Sequence, residues 1–227
     1  MKERVYRYRA LERRISESRP GAAVLDVGCG RGDNLRRLRR YGGRALGIDP
    51  SLPRLLEARH IAPAAAACGE SLPWADQSFD MVYISHVLHH AADMGAVLEE
   101  SYRSLRPGGI LFVIETVDDS PLMRLARAIQ PRWDEDEVLN RFRFADLVRR
   151  LEETGFRVAC GATFNWMYFA WELLPLAFRP LDRLSPIFIG IESLFGRVLN
   201  RWGGHCWLVA QRPGPSLFPE TVWKDAA

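Results

Sequence analysis

Two carboxylates flank a glycine-rich run near the start of the chain. Val24-Leu25-Asp26-Val27-Gly28-Cys29-Gly30-Arg31-Gly32 ends a short apolar stretch in three alternate glycines, and Asp49 closes a second apolar stretch, Ala45-Leu46-Gly47-Ile48. Glycine admits positive φ and close backbone approach. A strand that ends in such a loop and opens a helix makes a cofactor crevice. A carboxylate at Asp49 can accept both hydroxyls of a ribose, which points to a nucleoside without naming it. Asp26 narrows the choice. It would repel a pyrophosphate, yet it would suit a cationic amino-acid group, accepting from an ammonium directly or through water. The spacing is Gly-x-Gly-x-Gly, not the dinucleotide Gly-x-Gly-x-x-Gly, although Gly28, Gly30 and Asp33 partly follow the latter frame. No Gly-x-x-x-x-Gly-Lys-Ser/Thr run occurs, which argues against a P-loop.

A second group stands further along. Ser85-His86 follows a predicted strand over 79–84, and Glu115 follows another over 110–114. His86 is the first candidate for a general base or for positioning an acceptor; its alternatives are a structural hydrogen bond or a cofactor contact. Glu115 either anchors an acceptor or caps its own turn. His89 and His90 read as residues of a helix start or a packed loop. Cys29, Cys68, Cys160 and Cys206 form no CxxC or Cys/His cluster, so no metal is expected. They read as reduced thiols of a cytoplasmic protein.

The elements that must position these groups follow from the apolar pattern. Strands are predicted at 22–27, 45–48, 63–67, 79–84, 110–114, 156–160 and 204–211. Helices are predicted at 3–18, 33–41, 51–60, 93–105 and 144–154, with Pro107-Gly108-Gly109 as a turn. Short, near-continuous apolar strands alternating with helices spell an α/β fold with a mostly parallel sheet covered on both faces. Four segments result: an N-terminal helix or lid over 1–21, a core over 22–162, an aromatic helical insertion over 163–203, and the last strand with a tail over 204–227.

Composition bounds the rest. The 227 residues are 48% hydrophobic and carry a net charge of +3, which argues against disorder and against nucleic-acid binding. All but two of the 31 basic residues are arginine, mainly a compositional bias. No apolar stretch follows Met1–Arg9, so a secretory signal is not expected. The longest uncharged run, Val158–Trp171, has 14 residues, too few for a membrane span.

Residues 22–115 resemble the class I S-adenosylmethionine-dependent methyltransferases of the small-molecule subgroup. The resemblance rests on the glycine run, on Gly47-Ile48-Asp49-Pro50-Ser51, and on Glu70-Ser71-Leu72-Pro73-Trp74-Ala75-Asp76-Gln77-Ser78-Phe79-Asp80. It continues through Val87-Leu88-His89-His90 and Leu105-Arg106-Pro107-Gly108-Gly109. Phe144–Leu147, Glu153–Phe156 and Cys206–Ala210 extend it. It implies a Rossmann-like seven-stranded, mostly parallel sheet with an antiparallel last strand, and S-adenosyl-L-methionine as cofactor with S-adenosyl-L-homocysteine as product. It implies cofactor contacts from Asp26, Gly28, Cys29, Gly30, Gly32, Asn34 and Ser85. Asp49 would hold the ribose, Pro50 or Ser51 would lie by the adenine, and Cys68-Gly69-Glu70 would form the adenine rim. Many relatives carry an Asp where Cys68 stands, and a thiol is a weak acceptor. Backbone groups or Glu70 would then hold the adenine.

The implied function is methyl transfer to a small, partly apolar molecule, most simply at oxygen. Two alternatives remain: a non-catalytic binding or partner subunit with this fold, and a nucleotide-dependent oxidoreductase, which Asp26 and the glycine spacing disfavour. No Asn/Asp-Pro-Pro-Tyr-like run replaces Ile84-Ser85-His86-Val87, which argues against nucleic-acid modification. Tyr6-Arg7-Tyr8-Arg9 is open as a lid or as a helix packed on the sheet. Arg132-Trp133, Arg141 and Arg143 are open as a frame for an anionic acceptor or as solvated groups. The insertion, with Trp166, Met167, Tyr168, Phe169, Trp171, Phe178, Phe188 and Phe195, is open as an acceptor-pocket wall, a homodimer interface or a peripheral membrane contact.

Overall fold

The computed structural model describes residues 7–121, 124, 138–164 and 202–224. Seven strands form one sheet: β1 Ala23–Val27, β2 Arg44–Ile48, β3 Ala64–Ala65, β4 Phe79–Ser85, β5 Leu105–Thr116, β6 Arg157–Phe164 and β7 His205–Gln211. Their spatial order is β3-β2-β1-β4-β5-β7-β6. The first five pair parallel, and β7 runs antiparallel to both β5 and β6. The fold expected from the sequence is the one observed. The helices are α1 Arg7–Ser18, α2 Asp33–Arg40, α3 Leu52–Ala58, α4 Met94–Ser104, α5 Phe144–Thr154 and α6 Thr221–Lys224.

The strands are apolar on both faces because helices cover both. On one face Leu25, Val27, Val82, Ile84, Leu111 and Val113 meet Val97 and Leu98 of α4 and Leu147 and Leu151 of α5. On the other, Val24, Met81, Tyr83 and Phe112 meet Leu11 and Ile15 of α1, Leu35 and Leu38 of α2 and Leu55 of α3. Successive side chains alternate between the faces. Asp26 therefore points to the α1/α2 side, in register with Tyr83 of β4 and Gly47 of β2.

One expected turn is absorbed into a strand. Pro107-Gly108-Gly109 lies inside β5 as a bulge: Phe79 opposes Leu105, but Met81 opposes Ile110. Gly108 has φ +78, and a Cβ there would sit 1.7 Å from the Pro215 carbonyl oxygen. The tail fills the gap, since Gly108 N–H donates to Arg212 O and Leu217 N–H donates to Gly108 O. The sixth strand is longer than expected and takes Thr163 and Phe164 from the predicted insertion, pairing them with Cys206 and His205. Residues 165–201 of that insertion lie outside the described residues, with all eight of its singled-out aromatic and methionine side chains. Tyr6, Arg132 and Trp133 lie outside them too.

No helix among the described residues is long and apolar enough to cross a membrane. Phe112 is fully buried and stacks on Tyr83 at 5.5 Å. Its truncation to alanine is expected to cost about 3–5 kcal/mol, read as a lowered midpoint in urea denaturation.

Candidate active site

The C-terminal ends of β1, β2, β4 and β5 bring the expected groups to one edge of the sheet. This is where the strand order reverses, with β1 paired to β2 on one side and β4 on the other. Ligand crevices of parallel sheets form at such points. After β1 the chain turns through Gly28, with φ +70, where a Cβ would strike Val87 Cγ2 at 2.3 Å. Only a glycine lets the loops after β1 and β4 lie this close. Gly32 ends the loop as the N-cap of α2, and its N–H donates to Cys29 O at 2.9 Å. The Cys29 thiol turns away from the crevice into the core, against Gly47, where a Cβ would meet its Sγ at 2.6 Å. Burial, with the charges of Asp26 and Asp49, pushes the thiol up to about 12. Cys29 can offer a cofactor only its backbone.

Asp49 ties the loop to β2. Its Oδ2 accepts from Gly30 N–H at 2.9 Å and its Oδ1 from Ser51 N–H at 2.9 Å. Each oxygen keeps a lone pair for a further donor. Asp26 differs. It is fully buried, and among the described residues neither carboxylate oxygen has a hydrogen-bond partner. Burial pushes its carboxyl up to about 8, while the Asn34 amide and the Arg37 charge act in the opposite direction. A buried carboxylate of this kind needs a cation or a proton.

Ser51 leads into α3 beside exposed Pro50. Cys68 is exposed. Gly69 is closed in, since a Cβ would meet Val27 Cγ1 at 3.1 Å. Glu70 is engaged elsewhere: its Oε1 accepts from Ala92 N–H at 2.9 Å.

After Ser85 the chain reverses through His86, whose φ of +57 is uncommon for a residue with a side chain. Its N–H donates to Ile114 O at 2.9 Å, which holds the turn against β5. The residue keeps an exposed side, while protein groups crowd the rest of the ring. It stands edge-on to His89 at 6.1 Å and to His205 at 5.6 Å. Burial among the surrounding groups lowers the His86 pKa from its ordinary value. Glu115 opposes that shift, and His89, His90 and Arg9 reinforce it. His205, which the sequence reading did not single out, is pushed down to about 3 by burial. Glu115 is fully buried and heavily engaged. Its Oε1 accepts from the N–H groups of Val87 and Leu88 at 2.6 and 2.7 Å. Its Oε2 accepts from Thr116 N–H and pairs with His89 Nδ1 at 2.6 Å. Of the two roles open to Glu115, this geometry is that of a turn anchor.

His86, His89 and Glu115 bring three ligand atoms within 4.8 Å of one another, a spacing that a divalent ion can bridge. The four contacts of Glu115 already occupy that carboxylate. Asn140, also missed from sequence, donates from Nδ2 to Leu88 O and Ala91 O and closes a later segment over this loop. Arg143 starts α5 and faces Asp119 at 3.8 Å. The described part of the N-terminal segment packs on the sheet, with Leu11 and Ile15 buried and Tyr8 against Phe164 at 5.4 Å.

Asp26 gives stability a pH dependence of known sign. Its folded pKa of about 8 lies above the ordinary 3.8. The folded chain therefore keeps a proton that the unfolded chain releases, and stability falls as pH rises through that window. Thermal melting of the ligand-free protein should show a decline between pH 5 and 8 that Asp26→Asn flattens. Parallel pH profiles of the two proteins would rule out the buried carboxyl as its source.

Residues 25–113 match the family model of a methyltransferase domain. The chain is 37% identical over 109 residues to the demethylmenaquinone methyltransferase of Corynebacterium kroppenstedtii, which covers 48% of each protein. It is 36% identical over 120 residues to the malonyl-[acyl-carrier protein] O-methyltransferase of Pseudescherichia vulneris, covering 52% of this chain and 47% of that protein. The chain thus spans about half the length of the curated relatives it matches. The crystal structure of an S-adenosylmethionine dependent methyltransferase from Mesorhizobium loti superposes with a TM-score of 0.64 at 19% identity, over 89% of this chain and 96% of that one. Residues 25–113 thus match a methyltransferase domain, and the chain shares the fold of an S-adenosylmethionine dependent methyltransferase.

Proposed function

We propose that this chain methylates a small, partly apolar molecule at oxygen, using S-adenosyl-L-methionine. The observation that carries the reading is the pair of carboxylates on either side of the glycine loop. Asp26 is buried without a hydrogen-bond partner among the described residues, and Asp49 is fixed by two backbone N–H groups with lone pairs to spare. An α-ammonium matches the first and a ribose diol matches the second. The residues present therefore fit the cofactor. Asp26, Asn34 and the backbone of Gly28 to Gly32 would hold its amino-acid end, with Ser85 at the near strand end. Asp49 would hold the ribose. Pro50, Ser51, Cys68 and Gly69 would border the adenine. Glu70 is fastened to Ala92 and would act through that loop. When bound, the cofactor supplies an electrophilic methyl group on a sulfonium.

The protein's own work is alignment and proton removal. Partial desolvation lowers the His86 pKa from its ordinary value, which favours the neutral imidazole whose ring nitrogen would take the proton of an acceptor hydroxyl. Glu115 holds the turn on which that ring stands and fixes His89 beside it. The similarity to a relative named as an O-methyltransferase supports oxygen as the accepting atom.

Asp49→Ala is expected to weaken S-adenosylhomocysteine binding by about tenfold or more in calorimetry, with an unchanged circular dichroism spectrum. Unchanged affinity would overturn the assignment. A screen of hydroxylated aromatic and lipid-like compounds, read by S-adenosylhomocysteine release, supplies an acceptor. With that acceptor, His86→Ala should keep cofactor affinity and lose about 100-fold or more in turnover. The wild-type rate should fall only on the acid side, with a midpoint below the ordinary histidine value of 6.5. Full turnover in the variant across pH would remove His86 as the base.

A further inference from the structure

A buried polar chain runs behind the glycine loop from the N-terminal helix to Asn34. Glu12 of α1 is fully buried, and Arg37 of α2 is 8% exposed. Arg37 Nε donates to Glu12 Oε1 at 2.5 Å. An Arg37 terminal nitrogen donates to Tyr83 Oη at 3.0 Å and to Asn34 Oδ1 at 2.8 Å. The Tyr83 hydroxyl donates to Glu12 Oε2 at 3.1 Å, and Arg9 donates to the same oxygen. Tyr83 is the residue in register with Asp26 across the β1–β4 pair. With Asn34 Oδ1 held by Arg37, the planar amide directs its NH2 group the opposite way.

Fold stability alone does not account for this arrangement. Burying an ion pair is often no better for stability than apolar packing of the same volume. Leu11 and Ile15 already anchor α1 to the sheet. The chain of contacts ends at Asn34, whose amide, with the Arg37 charge, acts on the Asp26 carboxyl; among the described residues both Asp26 oxygens are buried without a hydrogen-bond partner. The Glu12 carboxylate meets the Arg37 guanidinium, and the Asp26 carboxyl, which burial leaves protonated, would ionise against a bound cation.

We propose that Glu12 and Arg37 are positioning residues for the amino-acid end of the cofactor: the helix α1 carboxylate fixes the Arg37 guanidinium, Arg37 fixes the Asn34 amide, and Asn34 sets the Asp26 carboxylate against the ligand ammonium. This rests on the reading of Asp26 as the ammonium site. It assigns α1 a part in cofactor selection although none of its residues need touch the cofactor. It also separates two ligand classes. S-adenosylhomocysteine carries the ammonium, whereas 5′-deoxy-5′-methylthioadenosine has the same nucleoside without it. Damage to the chain weakens the first ligand and spares the second. A general loosening of the fold weakens both.

The test is calorimetric titration of the full chain with those two nucleosides. The paired variant Glu12→Gln/Arg37→Met removes both charges together, so neither is left buried alone. It is expected to bind S-adenosylhomocysteine about tenfold more weakly, with methylthioadenosine affinity within about twofold. Asn34→Ala, at a half-buried position, should give the same selective loss and carries the test if the paired variant does not fold. Equal losses for both nucleosides, or no loss for either in Asn34→Ala, would overturn the proposal. Asp26→Asn tells the two levels apart. If it fails to discriminate between the nucleosides, the ammonium site itself is wrong. If it discriminates and the Glu12, Arg37 and Asn34 variants do not, only the coupling through α1 falls.

Discussion

Parallel pairing of β2, β1, β4 and β5 is the constraint on which the rest depends. Each strand delivers its last residue to the same edge, so Asp26, Asp49, His86 and Glu115 converge although nearly 90 positions separate the first from the last. The strand order reverses at β1, and ligand crevices of parallel sheets form at such an edge. Gly28 lets two loops approach, and Asp49 fastens one of them by accepting from Gly30 and Ser51. The second constraint is electrostatic. Parallel strands are covered on both faces, so a charge placed in their middle is buried and needs a partner. Asp80 finds the Ala23 N–H and the guanidinium groups of Arg106 and Arg19, which outweigh its burial and lower its pKa. Glu115 finds backbone donors and His89. Asp26 finds no hydrogen bond among the described residues, and burial raises its pKa instead.

His86 and Glu115 lie side by side in very different surroundings. The carboxylate is sealed by four contacts and acts as a scaffold. The imidazole stands on that scaffold in a left-handed turn, with the neutral His205 ring beside it. The environment of each group, more than its intrinsic acidity, decides whether it is engaged by the backbone or left exposed.

What could be read from the sequence was local. The glycine run, the carboxylate before it and the Asp after the next strand are contiguous signals, and the structure brings them to one edge of the sheet. The helix over 144–154 was also legible, because Gly155 ends it in a left-handed cap. The misses arise from long-range pairing. Pro107-Gly108-Gly109 has the composition of a turn, yet the tail supplies partners about 100 positions away and holds it as a bulge within a strand. Glu12, Arg37 and Tyr83 look like surface charge and core aromatic, because nothing local shows that three elements bring them together. His205 gains meaning only when antiparallel pairing sets it near His86.

The position of β7 has a consequence for how the chain is made. The last strand to be synthesised does not join an edge; it inserts between β5 and β6. Until residue 211 emerges from the ribosome, both of those strands present open hydrogen-bonding edges, one of them belonging to the strand that bears Glu115. Such edges template association with other chains. A nascent or truncated chain ending before His205 is therefore a half-sheet with two adhesive sides. The catalytic edge and the resistance to aggregation are completed together by the same seven residues.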